Sequence, residues 1–239
     1  MTDKWLRGTC LAAMALTGLG SAVLAQEITS DSTPAAAAPM DILRTSVTMA
    51  GDTVHFSMKV AGTAGEAKPA AIGRFAGAGV HAYVWPTSLN SADVGFDHDQ
   101  GIVALAVTYH PDFDDGANGG KNATVWHPHW VVLAKDAACG AGLKVVDIPE
   151  GTKPSLPATW PGVPLLIDSP IYQTGLSGQS VEVEVPLSAV GALASASYDG
   201  VTAGLRINAD LHAPLLCVTD VFKVASGDLS LPGKVTVSP

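Results

Sequence analysis

The chain has 239 residues, 13 of them basic and 22 acidic, for a formal charge of −9 at neutral pH, and 47% of it is hydrophobic. That balance argues against a nucleic-acid partner, because phosphate recognition needs clustered Lys and Arg. No segment beyond the N-terminal region has 18 uninterrupted apolar residues, so no membrane span is expected.

Residues 1–25 read as a secretory signal peptide: Lys4 and Arg7 precede an apolar run over 11–24, and Val23, Leu24 and Ala25 form a small-residue cleavage site before Gln26. The expectation is a protein exported to the periplasm of a Gram-negative host, or secreted, where an unidentified protein partner would meet it. Two basic residues and one acidic residue lie in that segment, leaving 11 against 21. An acidic surface is compatible with cation binding and equally with simple solubility. Cys10 also lies in the signal, leaving Cys139 and Cys217. In an oxidising compartment these two pair by default, closing a long loop and contributing roughly 4 kcal/mol on the chain-entropy model. The competing reading makes them thiolate ligands for a soft metal.

Residues 26–40, "QEITSDSTPAAAAPM", read as a flexible Ala/Pro/Ser/Thr linker with too little apolar bulk to pack. A single domain is expected over 41–239. Its opening is a hairpin turning at Gly51-Asp52, which pairs Ala50 with Thr53, Met49 with Val54, Val47 with Phe56 and Leu43 with Val60. That register places Met49 and Met58 in the core rather than on copper, and His55 on the wet face.

Later strands are expected at 79–85 ("GVHAYVW"), 102–110 ("IVALAVTYH"), 123–133 ("ATVWHPHWVVL"), 180–186 ("SVEVEVP"), 201–212 ("VTAGLRINADLH") and 215–224 ("LLCVTDVFKV"). Only "PLSAVGAL" offers a helical turn or two. The six prolines between 147 and 170 keep that segment out of a sheet interior, as an extended surface crossing. The pattern is all-β, an antiparallel β-sandwich of immunoglobulin-like or DOMON-like type with long loops.

Chemistry concentrates at "VWHPHWVVL". Alternation on a strand sends His127 and His129 to one face with Val131 and Leu133, while Trp126, Trp130 and Val132 take the other. Two imidazoles spaced this way converge on one ion with nitrogen bonds of about 2.0–2.1 Å. Further ligands are sought at His110, which closes the preceding strand, and at His81 or His212. Imidazole sets of this kind suit copper or zinc, and an open position would admit water. The rival reading is a pair of histidines facing water at an edge or bulge marked by Pro128. A second metal candidate is calcium in the loop "HPDFDDGANGGKN", through Asp112, Asp114 and Asp115 with Asn118, although the spacing departs from an EF-hand. His98 reads as solvated, and Asn122-Ala123-Thr124 matches a glycosylation sequon. Nucleophile-elbow, phosphate-loop and H-E-x-x-H signatures are lacking.

"VEVEVPLSAVGA" followed by "YDGVTAGLRINAD", with the early hairpin "SVTMAGDTVHFSMKVAG", resembles the DOMON and family-nine carbohydrate-binding β-sandwiches over about a quarter of the chain. The resemblance implies a sandwich; the haem-ligand and sugar-stacking residues of those families have no assignable counterparts. Three functional expectations follow. The first is an exported copper or zinc protein using His127, His129 and further histidines. The second is a zinc hydrolase or lyase with a three-histidine site and a metal-activated water. The third is a sugar- or haem-binding module with Tyr83, Trp85, Trp126 and Trp130 as its platform.

Overall fold

Glycine at position 51 takes φ = 57°, a conformation that favours glycine, and lets the first hairpin reverse in two residues. The structure, a computed structural model, describes residues 27–116 and 120–237. The expected signal peptide and Asn118 lie outside the described residues. The strands are β1 (Ile28–Thr29), β2 (Ile42–Ala50), β3 (Thr53–Val60), β4 (Gly79–Pro86), β5 (Ile102–Tyr109), β6 (His127–Lys135), β7 (Leu143–Val145), β8 (Ile167–Asp168), β9 (Gln173–Ser177), β10 (Ser180–Pro186), β11 (Ser197–Tyr198), β12 (Val201–Ile207), β13 (Leu216–Val224), β14 (Gly233–Lys234) and β15 (Thr236–Val237). Among the described residues there is no α-helix; "PLSAVGAL" holds one short 3-10 turn, Leu187–Ala189, and ends where a second, Leu193–Ser195, begins. No helix there is long and apolar enough to cross a membrane.

The first hairpin keeps the expected register from Ala50 opposite Thr53 back to Arg44 opposite Lys59. A bulge at Leu43 then shifts it, so that Ile42 rather than Leu43 faces Val60. The shift puts the fully buried Ile42 into the core and leaves Leu43 half-buried. Residues 27–40 also differ from an unpacked linker. Ile28 and Thr29 pair with β2, and Met40 is buried as the end of a 3-10 turn. Two apolar side chains and a strand edge are enough to dock a segment whose composition suggests otherwise.

The architecture is all-β and, apart from β15 running parallel to β2, antiparallel. It departs from the expected two-sheet sandwich in one respect. Strands β5, β4, β12, β13, β7 and β6 pair in that order and β6 pairs back onto β5, so one sheet closes on itself as a six-stranded barrel. Full closure removes the free edges that an open layer would expose. A second sheet, β1-β2-β3-β10-β9 with β15 beside β2, packs against the barrel's outer face, and β11 and β14 pair as a small third sheet.

Closure explains why β4, β5 and β6 read as nearly continuous apolar runs: both faces of each are buried. Outward, Tyr83, Trp85, Val103, Leu105, Val107, Trp130 and Val132 meet Val54, Phe56, Met58, Val181, Val183 and Val185 of the second sheet. Phe56 sits edge-on between Trp85 and Trp130, each 5.9 Å away. Inward, the same strands present small residues: Val80, Ala82 and Val84 on β4, Ala104 and Ala106 on β5, and Val131 and Leu133 on β6. Bulky side chains thus join the layers, and small ones leave room inside the barrel. The Pro-rich segment crosses the barrel where β6 and β7 diverge: β8 pairs with Trp130 and Val131, and Val163, Leu165 and Ile167 join the inner apolar cluster. A disulfide joins Cys139, in the turn after β6, to Cys217 on β13, so these sulfurs are committed to each other and not to a metal.

Candidate metal centre

The site forms where β5 ends and β6 begins. β5 stops at Tyr109, leaving His110 at its mouth, and the chain returns so that His127 faces Thr108 and His129 faces Ala106 across the ladder. His127 and His129 share the inward face, as strand alternation requires. Pro128 sits between them at a point where β6 has a strand partner on one side only, since pairing on its other side begins at Trp130. The missing donor is tolerated there, and neither histidine faces water: His127 is 4% exposed and His129 1%.

His110 is equally buried, at 3%, and its Nε2 lies 3.0 Å from His127 Nε2. The fourth member is Asp115, from the loop between the strands. Its Oδ2 is 3.2 Å from His129 Nε2, 3.3 Å from His127 Nε2 and 3.9 Å from His110 Nε2. One donor atom from each of the four residues falls within 4.8 Å of all the others. For a tetrahedral ion with bonds of 2.0–2.1 Å, neighbouring donors stand about 3.4 Å apart, so the observed spacings bracket that edge.

Hydrogen bonding at the far side of each ring decides what the near side offers. His110 Nδ1 faces the Phe113 carbonyl at 2.8 Å, His127 Nδ1 the Val125 carbonyl at 2.8 Å, and His129 Nδ1 the Asp168 carbonyl at 3.0 Å. A carbonyl only accepts, so each Nδ1 carries the proton and each Nε2 turns a lone pair inward. Three lone pairs and a carboxylate oxygen therefore point at one small volume, an arrangement that repels itself unless a cation lies within it. Two donors brace the carboxylate from behind. The buried Asn122 amide bonds Asp115 Oδ1 and stands 3.1 Å from His127 Nε2, and the Ser169 hydroxyl donates to Asp115 Oδ2 at 3.2 Å. Phe113 stacks on His110 with planes only 5° apart, fixing that ring's tilt.

Electrostatics set the same charge state. Burial pushes the His129 imidazole down to about 3, aided by the neighbouring His127, and burial with His127 lowers His110 as well. Burial alone would raise the Asp115 carboxyl. The adjacent His127 and His129 rings and the Asn122 amide outweigh it and hold the acid well below the usual carboxylate range. At neutral pH the set is an anionic carboxylate with neutral His110 and His129 rings, which is the form that ligates metal.

Of the five histidines expected to bind metal, the structure brings together His110, His127 and His129. His81 is not among them. It lies on the barrel's outer face, with Nδ1 3.2 Å from the Ala67 carbonyl and its ring against Phe222. The reason is parity: Val80 and Ala82 face inward, so His81 cannot. His212 is exposed in the turn after β12, which ends at Ile207, earlier than expected. His98 is exposed. The calcium expectation is also revised: Asp112 caps the backbone amides of Ile72 and Gly73, Asp114 is exposed, and Asp115 turns inward to the imidazoles, so the three carboxylates do not converge. The aromatic platform dissolves likewise, because Tyr83, Trp85 and Trp130 are buried between barrel and sheet.

Sequence reasoning missed Asp115 as a partner of the histidines, Asn122, read as a glycosylation sequon although its side chain is fully buried, and Ser169. The one available signal was that Asp115 lies in the connection between His110 and His127; nothing local separates it from Asp112 and Asp114. No protein-family model, curated protein or solved structure matches this chain.

Proposed function

We propose that this is an exported metal-binding protein that holds one divalent transition-metal ion, zinc or copper, through His110, His127, His129 and Asp115. The observation that carries the reading is the convergence of three Nε2 lone pairs and a carboxylate oxygen while every Nδ1 is tied to a main-chain carbonyl. Imidazole nitrogens select against calcium and magnesium, which take oxygen ligands, and favour zinc or copper. The signal-like residues 1–25 and the Cys139–Cys217 disulfide support action in the periplasm, where cystines persist. Elemental analysis and zinc or copper titration of untagged mature protein, beside a His127→Ala/His129→Ala variant, test the reading. About one equivalent of metal is expected in the natural protein and essentially none in the variant. Equal metal content in both overturns it.

A further inference from the structure

The barrel encloses a cavity of about 250 Å³ that extends from His110, Asp115 and His129 at one end to Ile102, Val221 and Leu229 at the other. Ile102, Val221 and Leu229 are each about 40% exposed, so the end remote from the histidines has an apolar, solvent-reachable rim. Between the two ends the wall is hydrocarbon. Ala82, Ala106 and Ala203 stand on three successive strands where larger side chains would fill the interior. Even eight-stranded barrels are commonly filled by their own side chains, so room inside six strands has to be left by small residues. An unfilled apolar void forfeits dispersion contacts on every side, which an apolar occupant restores.

The polar groups at the histidine end restrict what that occupant carries. Among the described residues no Lys or Arg lines the cavity, and the charged ones that do are Asp115 and the exposed Asp114, beside the histidines. A carboxylate entering the metal-free barrel would meet only like charge. With a divalent ion on Asp115 and three neutral imidazoles, the site carries one net positive charge, and zinc expands readily to a fifth ligand. A sugar is disfavoured, since its hydroxyls would lie unpaired along the alkyl wall.

We propose that the barrel is a binding site for a small monocarboxylate with an apolar body, whose carboxylate completes the coordination of the ion held by His110, His127, His129 and Asp115. The proposal rests on the metal reading above. Titration calorimetry with octanoate and with acetate, on zinc-loaded and zinc-free full-length mature protein whose zinc content is measured in each sample, tests it. Octanoate is expected to bind the zinc form one to one, more than about tenfold tighter than acetate because its methylenes leave water, and more than about tenfold tighter than it binds the zinc-free form. Ala203→Leu and Ala82→Leu, made singly, should weaken octanoate binding while zinc content holds. Octanoate binding that is absent, indifferent to zinc, no tighter than acetate, or unchanged in both variants overturns the proposal. If the variants fail to fold, the wild-type comparisons decide it alone. Zinc uptake without octanoate binding removes this inference and leaves the metal reading; no zinc uptake removes both.

Discussion

Asp115 Oδ2 lies 3.2 Å from His129 Nε2, so an acid from a surface loop is the closing wall of a pocket whose floor is a barrel strand. A buried carboxylate is costly unless partners offset its charge, and here the Asn122 amide and the Ser169 hydroxyl donate to it while the imidazole Nε2 atoms beside it leave room for a cation. Replacing the acid while keeping its shape isolates its charge. Asp115→Asn should retain the fold and weaken zinc binding by more than about tenfold, read by competition with a chromogenic chelator.

Ser169 and Asn122 touch the carboxylate from outside the donor set. Ser169→Ala and Asn122→Ala should each lower zinc affinity by roughly tenfold to a hundredfold without abolishing it. Affinities equal to that of the natural protein would mean that the carboxylate is oriented by its own loop.

The metal-free protein should be acid-sensitive in a defined direction. His129 and His110 have lowered proton affinities in the folded state, so below the ordinary imidazole value of about 6.5 the unfolded chain binds more protons than the folded one. Stability is then full above that value and falls as pH drops, by roughly 1.4 kcal/mol per pH unit for each such histidine, continuing for His129 toward about 3. Urea unfolding at a series of pH values between neutrality and moderate acidity reads the slope, and His129→Gln should flatten it.

One strand serves two cores, and the halves should separate by mutation. Trp130 faces the second sheet and is 1% exposed, so Trp130→Ala should cost about 3–5 kcal/mol of folding stability. In the fraction that remains folded, metal stoichiometry should be unchanged. His129→Ala, one position earlier, should do the reverse in character, removing metal with its main effect on the holo protein's melting temperature.

The Cys139–Cys217 bond closes a separation of 78 residues, for which chain entropy implies a stabilisation of about 4 kcal/mol. Cys217→Ser with Cys139→Ser should lower the urea midpoint accordingly while metal stoichiometry in the folded protein is kept.

Much of this was legible in residue order alone. Alternation is a local property of an extended chain, so it places His127 and His129 on one face, Trp130 on the other, and sets most of the first hairpin's register. Chain connectivity brings His110 beside them, because the strand it ends pairs with the strand they begin. The oxidising-compartment argument anticipates the cystine. What local pattern lacks is parity relative to a closed surface: His81 sits on a strand of the same barrel yet points away, since inside and outside exist only once β6 pairs back onto β5. Closure likewise turns Tyr83, Trp85 and Trp130 from a candidate platform into the cement between two layers, and makes the small inward residues enclose a cavity. Among three acids in one loop, only the folded path of that loop selected Asp115, because burial against three imidazoles depends on where the chain passes in space and not on the spacing of its residues.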